Sequence, residues 1–313
     1  MSWFTDCKVL PGIGKRLFDR IDHSVASIGH NQALLAYSCG DEPVEQFAIL
    51  SLTEGGTIHT QSVPGPPNPD GVGGMRLYRV GEVVVAYGGS VSSEGQRGEE
   101  PCWYMAVYYI DTDEWETLPY VQWKCPFPRR RPRVFSVGDT LVVAGGWGKT
   151  TARLEDYWEW SLETRLWRQM SGCPIGEHAG ATHGTSHHIY SLTRHYTYIA
   201  TRRVWSTEKC HIPGGSPVFS LSLYGECQLL ATKLTDVGGT GGNGPRKAVP
   251  MLRDNVSLDR VALDLLPLSD IQYTSLDKAK AVWLNPCTIL VVAIDFMLLV
   301  EVDPSLLSPY VLF

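Results

Sequence analysis

Two stretches of this chain carry the same order of local signals, and that repetition limits its fold more than any other feature. Residues Val137–Pro174 read VGDTLVVAGGWGKTTARLEDYWEWSLETRLWRQMSGCP. Gly138-Asp139 is a two-residue turn signal, Leu141–Ala144 is a short apolar run, and Gly145-Gly146 ends it. After a polar loop, Tyr157–Leu162 alternates as a half-buried strand does, Glu163-Thr164 turns, and Leu166–Met170 is a further strand. Residues Val80–Pro119 repeat the order: Gly81-Glu82, the apolar run Val83–Tyr87, Gly88-Gly89, a longer polar loop, the strand Trp103–Ile110, a turn at Asp111–Glu114, and Trp115–Pro119. Each stretch spells one small antiparallel sheet, and such a sheet buries both its faces only against copies of itself.

An apolar run into Gly-Gly, an aromatic strand, and then a Trp followed in the first copy by Leu118-Pro119, resembles the kelch repeat. The resemblance implies four-stranded blades of a β-propeller. It gives the glycines a task, to allow positive φ and close backbone approach where the second strand ends. It places Trp115 and Trp167 between neighbouring blades, as the largest apolar area available there.

Turn signals recur about every 50 residues, at the spacing of propeller blades. They are Gly29-His30-Asn31, Gly81-Glu82, Gly138-Asp139, Gly184-Thr185-Ser186, Gly225-Glu226 and Asn285-Pro286. They predict six blades, over residues 18–67, 71–120, 130–173, 177–213, 216–268 and 271–313. In the first, Val25–Ile28 and Ala33–Tyr37 are the inner strands, and Gln46–Leu52 and Thr57–Val63 the outer ones. The fourth lacks Gly-Gly but keeps Trp205 at the closing position. The last is short of a strand, since few residues follow Phe296–Val302. Residues 2–10 alternate and run into Leu10-Pro11, much like the end of the second blade, so they are expected to supply that strand and remove an open edge. The fold expected is all-β: a six-bladed kelch-type propeller of four-stranded antiparallel blades, one domain over residues 1–313, its ring closed by the N-terminal strand. With every residue used, no second domain of the kind that ubiquitin-ligase adaptors carry beside kelch repeats is expected.

Composition narrows the partners. The 313 residues are 43% hydrophobic and 19% charged, which is globular rather than disordered. A net charge of −6 argues against a nucleic-acid or membrane-surface binder. The eight cysteines are scattered without a CxxC pair, so neither a zinc site nor a disulfide frame is written, and a reducing, cytoplasmic setting is expected. Thr288–Val302 is the most apolar run, but Asp295 interrupts it and each half is of strand length.

Histidines gather in the fourth blade: His178, His183, His187, His188, His195 and His211. They raise the alternative of a metal site, and kelch-type propellers include the copper enzyme galactose oxidase. The plainer reading is that they stand near strand starts and turns. Gly238–Gly244 lacks the Lys-Ser/Thr ending and following helix of a phosphate loop. Val142–Gly148 runs toward a strand where a dinucleotide site needs a helix. No catalytic set is identifiable, and no pattern calls for a cofactor.

Two functions therefore stand from sequence: a non-catalytic protein-interaction propeller, whether scaffold, adaptor or assembly subunit, and a propeller enzyme, a metal oxidase or sugar-converting one. The first fits better. Loops joining second and third strands, and those joining blades, share one rim in kelch propellers. Here that rim is expected to carry Asp41, Glu42, Ser90–Glu100, Arg129, Arg130, Arg131, Trp147, Lys149, Arg153, Arg194 and His195. The basic and aromatic members are the candidate contacts for another protein, through an acidic or phosphorylated segment, because Arg pairs with carboxylates bidentately and Trp and Arg dominate interface hot spots.

Overall fold

The computed structural model describes residues 4–10, 23–38, 45–67, 74–92, 99–130, 132–148, 153–170, 180–183, 185–190, 194–209, 217–222, 227–233, 248–254, 260–262, 280–292 and 297–302. Every element among them is a strand. In chain order, β1 (Phe4–Leu10) is followed by β2 (His23–Gly29), β3 (Gln32–Ser38), β4 (Glu45–Leu52) and β5 (Ile58–Val63), a four-stranded antiparallel sheet in sequential order. The next sheet is β6 (Arg76–Val80), β7 (Val83–Tyr87), β10 (Met105–Tyr109) and β11 (Glu114–Thr117). In the connection from β7 to β10, β8 (Ser90–Ser92) and β9 (Glu99–Pro101) pair as a separate hairpin. Then come β12 (Arg133–Val137), β13 (Thr140–Ala144), β14 (Tyr157–Ser161) and β15 (Trp167–Met170), and after them β16 (Gly180–His183), β17 (Ser186–Tyr190), β18 (Arg194–Ile199) and β19 (Val204–Lys209). β20 (Pro217–Ser222), β21 (Cys227–Lys233), β22 (Ala248–Asp254) and β23 (Arg260–Ala262) pair as a further sheet, and β24 (Lys280–Asn285), β25 (Thr288–Val292) and β26 (Met297–Val302) form the last.

This is an all-β chain in a β-propeller arrangement, with five blades visible beside the β20–β23 sheet. The chain divides into two compact units, one of Gly12–Glu177 and one of Met1–Pro11 with His178–Phe313. Within the first unit, neighbouring blades meet through their first strands, β6 lying against both β2 and β12. Within the second, β20 lies against β16 and β24 in the same way. The expected strands of the first blade fall on β2 to β5. The sequence-based placement of the N-terminal strand also holds: β1 pairs antiparallel with β26, from Phe4↔Val302 to Leu10↔Met297.

The apolar runs have a clear packing reason in the first unit. β7 and β10 are the central strands of a blade flanked on both sides, and successive side chains of a strand point to opposite faces. Val84, Ala86, Ala106 and Tyr108 join Ala26, Ile28, Leu34, Ala36 and Phe47 of the preceding blade in one core cluster. Val83, Val85, Tyr87, Met105 and Val107 join Val134, Leu141, Val143 and Trp160 of the following blade in another. A strand buried on both faces needs no polar alternation, and Val83–Tyr87 has none.

The two closing tryptophans sit at these blade junctions. Trp115 lies 5.2 Å from Phe47 of the preceding blade and 5.0 Å from Tyr108, and its Nε1–H donates to the Pro64 carbonyl at 3.0 Å. Trp167 lies 5.9 Å from Tyr87. Trp115→Ala and Trp167→Ala are each expected to cost about 3 kcal/mol in urea unfolding, at the low end for a Trp deletion because both rings are half-buried. A loss below about 1 kcal/mol would place the ring outside the junction.

Candidate functional site

In a sequential antiparallel blade, the connection between second and third strands and the crossing to the next blade leave from the same end. That end of the first unit gathers the β7–β10 connection, the β11–β12 crossing and the β13–β14 connection. An isolated bridge ties the last two together. Arg130 and Trp147 form an antiparallel bridge, with Arg130 N–H donating to the Trp147 carbonyl at 2.8 Å and Trp147 N–H to the Arg130 carbonyl at 2.9 Å. Trp147 also bridges to Arg153.

The Gly-Gly signal explains how the crossing comes so close. Gly146 has φ 93°, a left-handed value open to glycine, and a Cβ there would lie 2.8 Å from the Arg130 carbonyl oxygen and 3.1 Å from Pro132 Cα. Any larger residue would push the crossing off the β13–β14 connection and open the Arg130–Trp147 bridge.

Beneath the bridges lies a buried ion pair. Arg129 is 6% exposed. Its Nη1 and Nη2 donate to Asp156 Oδ1 and Oδ2 at 2.9 and 3.1 Å, Nη1 donates also to the Gly145 carbonyl at 3.0 Å, and Nε to the Phe127 carbonyl at 3.1 Å. Trp158 Nε1–H donates to Asp156 Oδ2 at 2.6 Å. Burial by itself would raise the Asp156 carboxyl, but the hydrogen bonds and charge of Arg129, with the Trp158 donor, outweigh it and hold it below the usual carboxylate range. The expectation that Arg129 faces a partner is thus corrected. Its fork is consumed by one carboxylate and two carbonyls, so it staples the crossing to the connection beyond β13.

The other expected residues separate. Arg130, Trp147 and Arg153 are brought together and are exposed, Trp147 by 46%. Arg131, Lys149, Asp41 and Glu42 lie outside the described residues, while Ser90–Ser92 and Glu99–Pro101 form the β8–β9 hairpin. Arg194 is exposed at the start of β18 in the other unit. His195, beside it, is 3% exposed and is corrected from a rim residue to an interior one. Alternation along β18 turns the two adjacent side chains to opposite faces, and His195 lies on the face where His188 stacks against it.

His195 belongs to a buried pair. His188 Nδ1 and His195 Nε2 share a hydrogen bond at 3.0 Å, and their rings stack 16° from parallel with centroids 5.2 Å apart. Thr197 Oγ1 lies 3.2 Å from His195 Nε2, and His195 Nδ1 lies 3.6 Å from the Glu208 carboxylate. His187 Nδ1 meets Thr182 Oγ1 at 2.7 Å. An N–H···N bond uses the acceptor lone pair that a metal would need. Among the described residues, no three His, Cys, Asp or Glu side chains are grouped to hold one ion. His178 and His211 lie outside the described residues.

The β11–β12 crossing holds the residues that sequence reasoning missed. Tyr120, Val121, Trp123 and Phe127 are exposed, with Trp123 at 74%. Tyr120 packs on Trp103 at 5.4 Å, and Trp123 meets Phe127 edge-on at 5.1 Å. A visible signal existed: a tryptophan between proline-flanked turns, outside any strand pattern, has no blade junction to fill. Together these residues make a preordered, partly aromatic and partly cationic surface, with no reactive constellation among them. The sequence matches no protein-family model and no curated protein.

Proposed function

We propose that this chain is a six-bladed kelch-type propeller that binds another protein without catalysis, and that the end carrying Arg130, Trp147 and Arg153 contacts an acidic or phosphorylated segment of that partner. The Gly-Gly and Trp repeats support the kelch-type reading, and the strand pairing of β20–β23 and of β1 with β26 supports six blades. The observation that carries the functional reading is the exposed Trp147 held by backbone bridges between two exposed arginines. An aromatic flanked by guanidinium groups is the composition of interface hot spots, and a rigid frame lowers the ordering cost of binding. Arginine clusters read carboxylates and phosphates. On a chain of net charge −6, a cationic patch also steers an acidic partner to one end.

The bridges run through the backbone, so the two arginine side chains can be exchanged without disturbing them. The test is affinity capture with the full chain, compared with Arg130→Glu/Arg153→Glu. The variant is expected to lose the partner that the wild type retains at low salt and releases at high salt, with its melting temperature unchanged. A partner captured equally by both proteins, with the same salt dependence, would rule out this end as the contact.

A further inference from the structure

The β11–β12 crossing contains a tight turn at Val121–Lys124, in which Lys124 N–H donates to the Val121 carbonyl at 3.0 Å. Trp123 takes the third position with φ 68°. That left-handed conformation suits Gly or Asn, and a bulky residue adopts it only under steric strain. The strained residue is also the most exposed large apolar side chain among the described residues, at 74%. Local backbone preference and solvent thus both disfavour a tryptophan here, which is the pattern of a residue kept for a contact. The turn is nevertheless built firmly. Cys125 Sγ donates to the Val121 carbonyl at 3.1 Å, Pro126 is buried, Phe127 braces the indole edge-on, and Arg129 anchors the Phe127 carbonyl.

Charge indicates what meets it. Leu118–Arg133 contains no carboxylate, while Lys124 and Arg130 are exposed on either side of Phe127. We infer that Trp123 is the apolar anchor of a docking site for an extended acidic peptide segment. An apolar side chain of that segment packs on the Trp123–Phe127 pair, and its carboxylates lie on Lys124 and Arg130. This deepens the reading above and rests on it, moving the main hot spot from Trp147 to the crossing.

The test is panning a random peptide library displayed on phage against the full wild-type chain, then measuring synthetic copies of the enriched peptides on variants. Trp123→Gly suits a positive φ and is expected to fold with an unchanged or higher melting temperature, and Trp123→Asn serves as a second such variant. Enriched peptides are expected to combine an apolar residue with at least two Asp or Glu. Affinity should fall at least about tenfold on Trp123→Gly, as for a hot-spot aromatic. Lys124→Glu/Arg130→Glu should remove the preference for acidic flanks. Acidic peptides that bind Trp123→Gly as tightly as wild type, yet are lost on Arg130→Glu/Arg153→Glu, would overturn the anchor and leave the broader reading standing. Enrichment without carboxylates, no enrichment at all, or a dimer of this chain that Trp123→Gly dissolves would each overturn the inference.

Discussion

Deleting residues 1–11 is expected to lower the melting temperature by about 10–20 °C and to make the protein prone to aggregation. β1 contributes register pairs from Phe4↔Val302 to Leu10↔Met297 along one edge of its blade. At a net value of about 1 kcal/mol per backbone hydrogen bond, losing that ladder costs about 5 kcal/mol. In a chain of this size each kcal/mol is worth about 2–4 °C. β26 would then present unpaired N–H and C=O groups, a template for pairing with other chains. Because β1 belongs to the compact unit of His178–Phe313, amide exchange should accelerate in β24–β26 and stay unchanged in β6, β7 and β10. A permuted chain in which residues 1–11 follow Phe313 through a Gly-Ser linker should regain most of the lost stability. A deletion that melts like the intact protein would show that β1 adds little to its blade.

Breaking the buried ion pair is the second large effect. Arg129→Ala leaves the Asp156 carboxylate half-buried without its guanidinium, and Asp156→Ala leaves a buried guanidinium without its carboxylate. Each is expected to cost about 3–5 kcal/mol. The double change Arg129→Met/Asp156→Leu should cost less than either, because the penalty lies in the unpaired charge rather than in the loss of attraction. The pair also has a pH signature. The Asp156 carboxyl is held lower in the folded chain than in the unfolded one, so the unfolded state takes up protons first as pH falls. Its contribution is complete above the unfolded value of about 4 and is lost as pH drops through the lower folded value. Asp156→Asn should therefore remove part of the acid-side decline seen in urea midpoints measured between pH 5 and pH 2. An unchanged acid limb would mean that Arg129 does not favour the ionised carboxylate. Because Arg129 also grips the Gly145 carbonyl next to the Trp147 bridge, Arg129→Ala should weaken the proposed partner contact as well as the fold.

Most strands were legible before any coordinates. Val83–Tyr87 and Leu141–Ala144 stand out because a turn precedes each and Gly-Gly follows, and both signals act within a few residues. Trp115 and Trp167 were legible because a large ring at a fixed place in a repeat has one economical use, the junction with a neighbouring blade, here the preceding one. The candidate site was only partly legible. Arg130, Trp147 and Arg153 were expected on one end, and their backbones meet there. Arg129 looked the same as Arg130 in sequence, yet it is buried, because its carboxylate stands 27 residues away on the far side of two strands. Trp123 stood outside any strand pattern, which was visible in the sequence, but its left-handed backbone angle and its exposure were not, because neither is written in residue type.

By itself, the sequence determined the β character, the turns at Gly81-Glu82 and Gly138-Asp139, the repeat of those two blades and the use of an N-terminal segment as a strand of the last blade. These depend on a two-residue side-chain alternation and on the local chemistry of Gly, Asn and Asp in turns, which every short window displays. The tertiary structure alone decided which charges face water and which are consumed inside. It locked Arg129 on Asp156, stacked His195 on His188, and turned Trp123 outward. The physical reason is distance: whether a guanidinium or an imidazole is desolvated depends on groups that come within about 4 Å only once the strands have paired and packed.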